Sequence, residues 1–209
     1  MARYTDAVCR LCRRYGEKLY LKGDRCFSPK CAFTRRPTPP GQTTSQRRRK
    51  VSDRGIQLRE KQRARVFYGL LEKQFRGYYD EALRKTGVTG EILVRTLESR
   101  LDNVVYRLGF ADSRKQARQI VNHGLISLNE RKTDIPSANV KVGDQISFSL
   151  SGAKSEYAKL VQETIKAKQP PAWLSLDMGA MRGRVISEPT LEQAEAFFDP
   201  NVIVEYYSR

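Results

Sequence analysis

All four cysteines of the chain lie in its first 31 residues, in a C-x2-C-x13-C-x4-C array. Two thiolates separated by two residues can close a turn around one metal ion, and a second pair completes a tetrahedral shell of four sulfurs. The array therefore predicts an N-terminal knuckle that binds one metal ion through Cys9, Cys12, Cys26 and Cys31.

Two disulfides, or four unrelated buried thiols, are the alternative to a metal site. Residues 1–8 contain no apolar run of the kind found in a secretory signal, so reduced cytosolic thiols are expected. Zinc is the commoner occupant of this spacing, but four cysteines also suit an iron–sulfur cluster. The sequence leaves the identity of the metal open.

The chain carries a formal net charge of +16, which indicates a polyanionic partner. Residues 1–50 hold 14 Lys and Arg against 3 Asp and Glu, so the charge is concentrated around the cysteines. The apolar runs are only a few residues long, whereas a bilayer requires ~20. These features predict a nucleic-acid partner and no membrane.

A Pro-rich segment, residues 36–50, follows the cysteines and ends in four consecutive cations, Arg47, Arg48, Arg49 and Lys50. Its prolines forbid a helix and its Thr, Ser and Gln residues cannot form a core. We expect an extended arm that becomes ordered on phosphates, and the alternative is a linker that contacts nothing.

The middle of the chain shows helical periodicity. It predicts helices at 52–68 and 71–85, packed as a hairpin, and further helices at 89–108 and 114–122. An aromatic stripe on the second helix, including Phe75 and Tyr79, is interpreted as core in preference to a base-stacking platform.

The C-terminal half alternates polar and apolar residues. Strands are expected at 125–128, 145–149, 173–176 and 202–207, and helices at 154–168 and 191–196. The predicted fold is α+β, with a metal knuckle, a helical domain, and a module of two helices and a small antiparallel sheet. Its segments are residues 1–45, 46–96, 97–165 and 166–209, the last packing back on the others.

The helices at 89–108 and 114–122 each carry a polar face opposite an apolar one. A planar guanidinium can bridge two phosphate oxygens. A bent helix pair that carries such groups matches the curved backbone of a folded RNA better than it matches the narrow major groove of a regular A-form helix. We expect replacement of Arg114, Lys115 and Arg118 to weaken RNA binding and to change stability little. The side chains expected to point outward and to bind RNA are Arg100, Asn103, Arg107, Arg114, Lys115, Arg118 and Asn122.

Residues 97–121 contain R-L-D-N-V-V-Y-R-L-G-F and S-R-K-Q-A-R-Q, followed by His123-Gly124 and, further on, Gly143-Asp144. Together with the W-L-S-L-D and V-E-Y-Y-S-R segments near the C-terminus, these residues resemble the small-subunit ribosomal protein S4 family along the whole chain. The cysteine array resembles that of the family's metal-bearing bacterial branch.

The resemblance implies a cytoplasmic protein of the small ribosomal subunit that binds rRNA first and nucleates assembly of the 5′ domain. It also implies a position beside ribosomal proteins S5 and S3, near the mRNA entrance, and an effect on translational accuracy. The cations at 47–50 are expected to meet mRNA. Further rRNA contacts are expected from His123, Arg13, Arg14, Arg35, Arg36, Arg59 and Arg63.

The chain shows no motif of an enzyme that acts on a small-molecule substrate. His123 is its only histidine, and beside a glycine at a helix end it suits a cap or a phosphate contact better than a general base. The alternatives are an RNA-modifying enzyme carrying the same two-helix module, which would need a separate catalytic domain, and a DNA-binding zinc protein.

Overall fold

The computed structural model of the chain describes residues 3–41, 51–194 and 197–208. It divides into two compact units, residues 1–93 with 196–209, and residues 94–195. Among the described residues, no helix is both long enough and apolar enough to cross a bilayer.

The first unit is helical. A 3-10 helix at Gly23–Cys26 lies between α1 and α2, and α5 continues past the boundary of the unit. Its helices are α1 Cys9–Tyr15, α2 Ala32–Arg35, α3 Asp53–Phe67, α4 Glu72–Arg84, α5 Thr89–Glu98 and, from the C-terminus, α10 Pro200–Tyr207.

Helix α3 packs chiefly against α10. The predicted hairpin of α3 with α4 is therefore wrong, and so is the strand predicted at 202–207. Pro200 occupies the first turn of α10, and the side chain of Asp199 accepts the N–H of Asn201 at 2.8 Å, so the segment begins with a helix cap. Its short β-branched run fits a helix or a strand equally well by periodicity.

The second unit combines helices with one sheet. The elements are α6 Leu101–Arg107, α7 Arg114–Asn122, β1 Ile126–Leu128, β2 Arg131–Lys132, β3 Gln145–Phe148, α8 Leu150–Ala153, α9 Glu156–Thr164, β4 Leu174–Asp177 and β5 Arg182–Val185. The strand order is β2-β1-β3-β5-β4, with every neighbouring pair antiparallel. A 3-10 helix at Ile165–Ala167 follows α9.

One face of this sheet packs against the helices and forms the core of the unit. Trp173, Phe110 and Ile146 are almost fully buried there. The α+β fold is thus confirmed, as are strands β1, β3 and β4. Sequence analysis missed β2 and β5. Residues 191–194 of the expected helix at 191–196 form a turn, and the rest of it lies outside the described residues.

The helix predicted at 89–108 is two helices. Arg100 is extended and forms a bridge with Asn139, while the N–H of Leu101 donates to the carbonyl of Ala138 at 2.9 Å. The N–H of Val140 donates to Ser99 in the same way, at 2.8 Å. Residues 99–101 therefore form strand-like hydrogen bonds with residues 138–140 in place of helical hydrogen bonds. Helical periodicity could not predict this break, because the partner segment is distant in sequence.

Candidate nucleic-acid interface

Helices α6 and α7 lie side by side in the second unit, and together with the flanking Arg100 and His123 they carry eight of the fourteen predicted rRNA-binding residues. Gly109 ends α6 with a φ of +85°, a left-handed conformation that glycine adopts without strain. The hydroxyl of Ser113 accepts the N–H of Gln116 and caps α7. Buried apolar side chains, among them valine, leucine and alanine, fill the contact between the two helices, which we call the α6–α7 seam.

A buried carboxylate lies between two arginines of this helix pair. Asp102 accepts hydrogen bonds from Nε and Nη2 of Arg100, at 3.0 and 2.7 Å, and from Nη1 of Arg118 at 3.1 Å. The three side chains are only 5%, 2% and 8% exposed, respectively. The prediction that Arg100 and Arg118 point outward is therefore wrong, because both guanidiniums turn inward to neutralise Asp102.

A second buried carboxylate, Glu98, organises the next layer. Its Oε2 accepts from Nδ2 of Asn103 at 2.8 Å and from Nε of Arg107 at 3.0 Å, and its Oε1 accepts from Nη2 of Arg107 at 3.1 Å. Arg107 also donates to the carbonyl of Ala194. Asn103 and Arg107 are thus held inside the unit as well, which corrects their predicted outward orientation.

Arg114 occupies the outer end of this network and is half-buried. Its Nε donates to Oδ1 of Asn103 at 2.7 Å, and its guanidinium lies 4.6 Å from the centre of the Tyr106 ring. The Glu98–Asn103–Arg114 chain of hydrogen bonds therefore fixes the orientation of one guanidinium at the α6–α7 seam. A guanidinium held in place in this way can donate a charge-assisted hydrogen bond to a phosphate.

The outward surface of α7 is polar and exposed at Lys115, Asn122 and His123. Lys115 and Asn122 are two helical turns apart on one side, and the exposed Gln119, which sequence analysis had not selected, lies between them. These side chains supply donors and one ammonium group on a rigid element. We refer to Arg114, Lys115, Asn122 and His123 as the α7 face.

The predicted basic residues of the first unit differ in their surroundings. Arg14, Arg35, Arg36 and Arg59 are exposed, while Arg13 is half-buried and its Nε donates to the carbonyl of Thr38 at 2.8 Å. Arg59 also donates to the carbonyl of Tyr15.

Arg63 is held in two ion pairs of the first unit. Its Nη2 lies 2.6 Å from Oε2 of Glu17, and its Nη1 lies 2.5 Å from Oε1 of Glu60. Its guanidinium therefore connects α3 to the turn that follows α1.

The four cysteines are free thiols of the first unit, and Cys12, Cys26 and Cys31 are buried. Burial raises the pKa of Cys12, and the charges of the other three sulfurs raise it further, so the four groups are electrostatic neighbours. Burial opposes ionisation of Cys31, but N–H donors of Thr34 and Phe33 lower its pKa overall.

Backbone N–H groups lie beside three of the sulfurs, although burial raises the pKa of Cys26 as it does that of Cys12. The N–H of Lys22 lies 3.4 Å from Sγ of Cys26, and backbone donors also reach Cys12 and Cys31. Within the parts of the chain that the structure describes, no three His, Cys, Asp or Glu side chains are arranged to hold a metal ion. The donor set and its N–H contacts nevertheless fit a soft-metal ligand shell.

Two further groups of cations bear on the predicted interface. Arg47, Arg48, Arg49 and Lys50 lie outside the described residues. Lys132, Arg182 and Arg184 are exposed cations of β2 and β5 that sequence analysis missed. The alternating R-G-R-V of β5 could have revealed that strand, because its arginines and its small or apolar residues point to opposite faces.

Comparison with known protein families identifies two families that match this chain. A family model described as "Ribosomal protein S4/S9 N-terminal domain" matches residues 3–98, and one described as "S4 domain" matches residues 99–146. The second match contains α6, α7 and β1 to β2 and begins β3. Fold, basic surface and matches together define an RNA-binding protein of the ribosome.

Relatives extend this similarity over the whole chain. The chain is 54% identical to small ribosomal subunit protein uS4 of Syntrophomonas wolfei, 50% to that of Thermus thermophilus and 53% to that of Heliobacterium modesticaldum. Each alignment covers 100% of both proteins. The chain belongs to the bacterial uS4 family, whose members are rRNA-binding proteins of the small ribosomal subunit and not enzymes.

Proposed function

We propose that the chain is a primary binder of small-subunit rRNA, one that attaches to the RNA alone and nucleates assembly of the 5′ domain. Family membership supports this function, and the α7 face is the observation that carries it. The orientation of Arg114 is fixed before RNA arrives, so binding through it sacrifices little side-chain entropy. Lys115, Asn122 and His123 extend the same surface.

Salt dependence of rRNA affinity tests this surface. Replacing Lys115 with Gln removes one phosphate contact, so the slope of log K against log salt should fall by roughly 0.7–0.9. Lys154, which is exposed near the end of α8, provides a matched control in Lys154→Gln. Binding curves for the purified chain and isolated rRNA, at several salt concentrations, give both slopes. Equal slopes for the two variants would contradict the proposed surface.

The same measurement tests the primary role. The chain should bind isolated small-subunit rRNA in the absence of other ribosomal proteins, and more tightly than duplex DNA at equal salt. A requirement for a second ribosomal protein would refute primary binding. A preference for duplex DNA would favour a DNA-binding zinc protein instead.

We further propose that Cys9, Cys12, Cys26 and Cys31 hold one zinc ion, with an iron–sulfur cluster as the alternative. A four-thiolate site would cross-link residues 9–31, where the buried apolar cluster is small. Elemental analysis should find one zinc per chain, or iron with sulfide. Thiol titration of the native protein should find no reactive thiol until a chelator is added.

The matched control for the metal site is Ser28→Ala, which changes a side chain between the last two cysteines and leaves all four thiols. Cys26→Ser should lose the metal, while Ser28→Ala should keep it. Four reactive thiols in the native protein, with no bound metal, would refute the site.

The segment Arg47–Lys50 is proposed to meet mRNA near its entrance, beside ribosomal proteins S5 and S3, and to affect translational accuracy. Its four consecutive cations and family membership support this role. They would guide phosphates without reading bases, so their effect should not depend on sequence. Neutralising all four should slow translation through a stable mRNA hairpin more than through unstructured mRNA. A loss of subunit assembly with no hairpin-specific effect would instead indicate that the cluster binds rRNA.

A further inference from the structure

The sheet of the second unit has one face on the core and one face directed outward. Residues paired across antiparallel strands point to the same face, and alternate residues along a strand point to opposite faces. Ile146 pairs with Gly183, and Leu174 pairs with Val185, so these four residues share the core face. The outward face is then defined by the residues between them.

Two rows of polar residues cross this outward face. The first row pairs Lys132 with Ser127, Ser127 with Ser147, Ser147 with Arg182 and Arg182 with Asp177. The second pairs Gln145 with Arg184 and Arg184 with Ser175. Both rows are free of apolar side chains. We call Lys132, Arg182 and Arg184 the sheet cation face.

The three cations of the sheet cation face are exposed and form no ion pair with any described residue. The one carboxylate in the two rows belongs to Asp177, and it accepts hydrogen bonds from the backbone of the turn that follows it. Its Oδ1 accepts the N–H groups of Gly179 and Ala180 at 3.0 and 3.1 Å. The face therefore presents three exposed cations against one carboxylate, in contrast to the buried, ion-paired arginines around Asp102.

The spacing of these cations suits a polyanionic backbone. Arg182 and Arg184 are two residues apart on one strand, a separation of about 6.6–6.8 Å, and each guanidinium can reach a separate phosphate. Lys132 lies three strands away, about 14 Å across the sheet. Between them lie Ser127, which is buried, and the half-buried Ser147, whose hydroxyls are 2.8 Å apart and satisfy each other.

We propose that the sheet cation face is a second rRNA-binding surface, separate from the α7 face, and that it contacts the sugar–phosphate backbone. The proposal rests on the rRNA binding proposed above. Sheets that read RNA bases do so with aromatic side chains, and this face has none. Protein interfaces use buried aromatic or apolar anchors, which this face also lacks. Its chemistry therefore fits phosphates, bound without regard to sequence.

Packing fixes the sheet cation face relative to the helix pair. Gly183 lies between the two arginines of β5 and faces the core, where a Cβ would come within 2.4 Å of Cδ1 of Leu108 at the end of α6. The missing side chain brings β5 into direct contact with α6. The sheet cation face and the α7 face therefore belong to one compact unit, with the sheet cation face on the side of the sheet away from the helices.

The test uses the full-length chain and isolated small-subunit rRNA. Arg182 and Arg184 are both replaced by Gln, which keeps a long polar side chain on the strand. Lys154→Gln with Lys159→Gln is the control, because it removes the same charge from exposed positions off the sheet. Trp173, the only tryptophan, is buried in the core and reports by fluorescence that each variant remains folded.

We expect the sheet variant to reduce the salt slope by roughly 1.4–1.8, for two phosphate contacts, and the control to leave it unchanged. Hydroxyl-radical footprinting should show newly cleaved rRNA sugars in the sheet variant, at nucleotides that Lys115→Gln leaves protected. An equal loss of slope in variant and control would overturn the proposal, because the effect would then be one of net charge.

Two further outcomes would also overturn it. Unchanged rRNA affinity and footprint would show that the sheet cation face lies away from rRNA. Unchanged rRNA affinity together with reduced incorporation into subunits would indicate that the sheet cation face binds an acidic ribosomal protein instead of rRNA. In both cases the wild-type chain still binds isolated rRNA and Lys115→Gln still lowers the slope, so the proposed function survives. If wild-type protein fails to bind isolated rRNA, the primary role itself is refuted.

Discussion

Replacing Asp102 with Ala should destabilise the second unit severely. The substitution removes a carboxylate that accepts hydrogen bonds from both Arg100 and Arg118, whose side chains are only 2% and 8% exposed. Both guanidiniums would then lose hydrogen bonds from positions where water reaches them poorly. Removing one partner of a buried ion pair costs about 3–5 kcal/mol, and here a single change affects two cations, so we expect the upper part of that range.

This magnitude is large relative to the stability of a small domain, which is about 5–15 kcal/mol. With a urea m-value of about 2 kcal/mol/M, a loss of about 4 kcal/mol moves the unfolding midpoint down by about 2 M. Urea is preferable to guanidinium chloride because it leaves ionic interactions unscreened. The fluorescence of Trp173, buried in the core of the same unit, follows the transition.

Two variants make the interpretation specific. Lys159→Ala removes an exposed ion pair with Glu156, whose partners are 65% and 85% exposed, and should cost less than about 1 kcal/mol. Combining Asp102→Ala with Arg118→Met removes one of the two buried cations that Asp102 accepts from and should recover part of the loss. If Asp102→Ala costs no more than Lys159→Ala, or if Arg118→Met adds its full cost to it, the buried network does not stabilise the unit.

Two further predictions concern backbone packing and pH. A Cβ on Gly152 would lie 2.2 Å from the carbonyl oxygen of Leu125, so Gly152→Ala should cost about 1–3 kcal/mol or more in urea unfolding, whereas Gly77→Ala, with nothing within 4 Å, should be neutral or stabilising. Burial opposes ionisation of Glu72, but hydrogen bonds from Lys61 and Tyr207 lower its pKa overall. The stability from this contact is complete above a glutamate's ordinary pKa of about 4.3 and is lost as pH falls through the lowered folded pKa. The protection factors of the α10 amides, which correct exchange rates for their intrinsic dependence on pH, should therefore fall in acid relative to pH 7, and fall more in wild type than in Glu72→Gln.

Sequence periodicity succeeded where local pattern and burial agree. The helix at 52–68 has its expected Ser52 cap, and the aromatic stripe of α4 is core, with Phe75 fully buried and Tyr79 nearly so. Strands β1 and β3 were found because their alternation matches a half-buried sheet. The break at Arg100 was missed because it depends on Asn139, which is far away in sequence.

The site was harder to predict than the fold. An arginine on the polar side of a helical pattern is usually solvated, and Arg107 was assigned outward for that reason. Its partner Glu98 looks like another surface residue in sequence, yet it is fully buried. The two charges are buried because each neutralises the other, a relation that a one-dimensional pattern does not contain. The sheet cation face was missed because β5 was missed.

Net charge is consequently a poor measure of how many phosphates this protein contacts. Arg100, Arg107 and Arg118 count toward the +16, but they are buried in ion pairs with Asp102 and Glu98 inside the second unit, and these two carboxylates offset two of the three charges. They hold α6, α7 and Arg114 in position, so they support RNA binding without releasing counterions. The salt slope of rRNA binding should therefore follow the exposed cations of the α7 face, the sheet cation face and the N-terminal segment, and it should be shallower than the total charge would give.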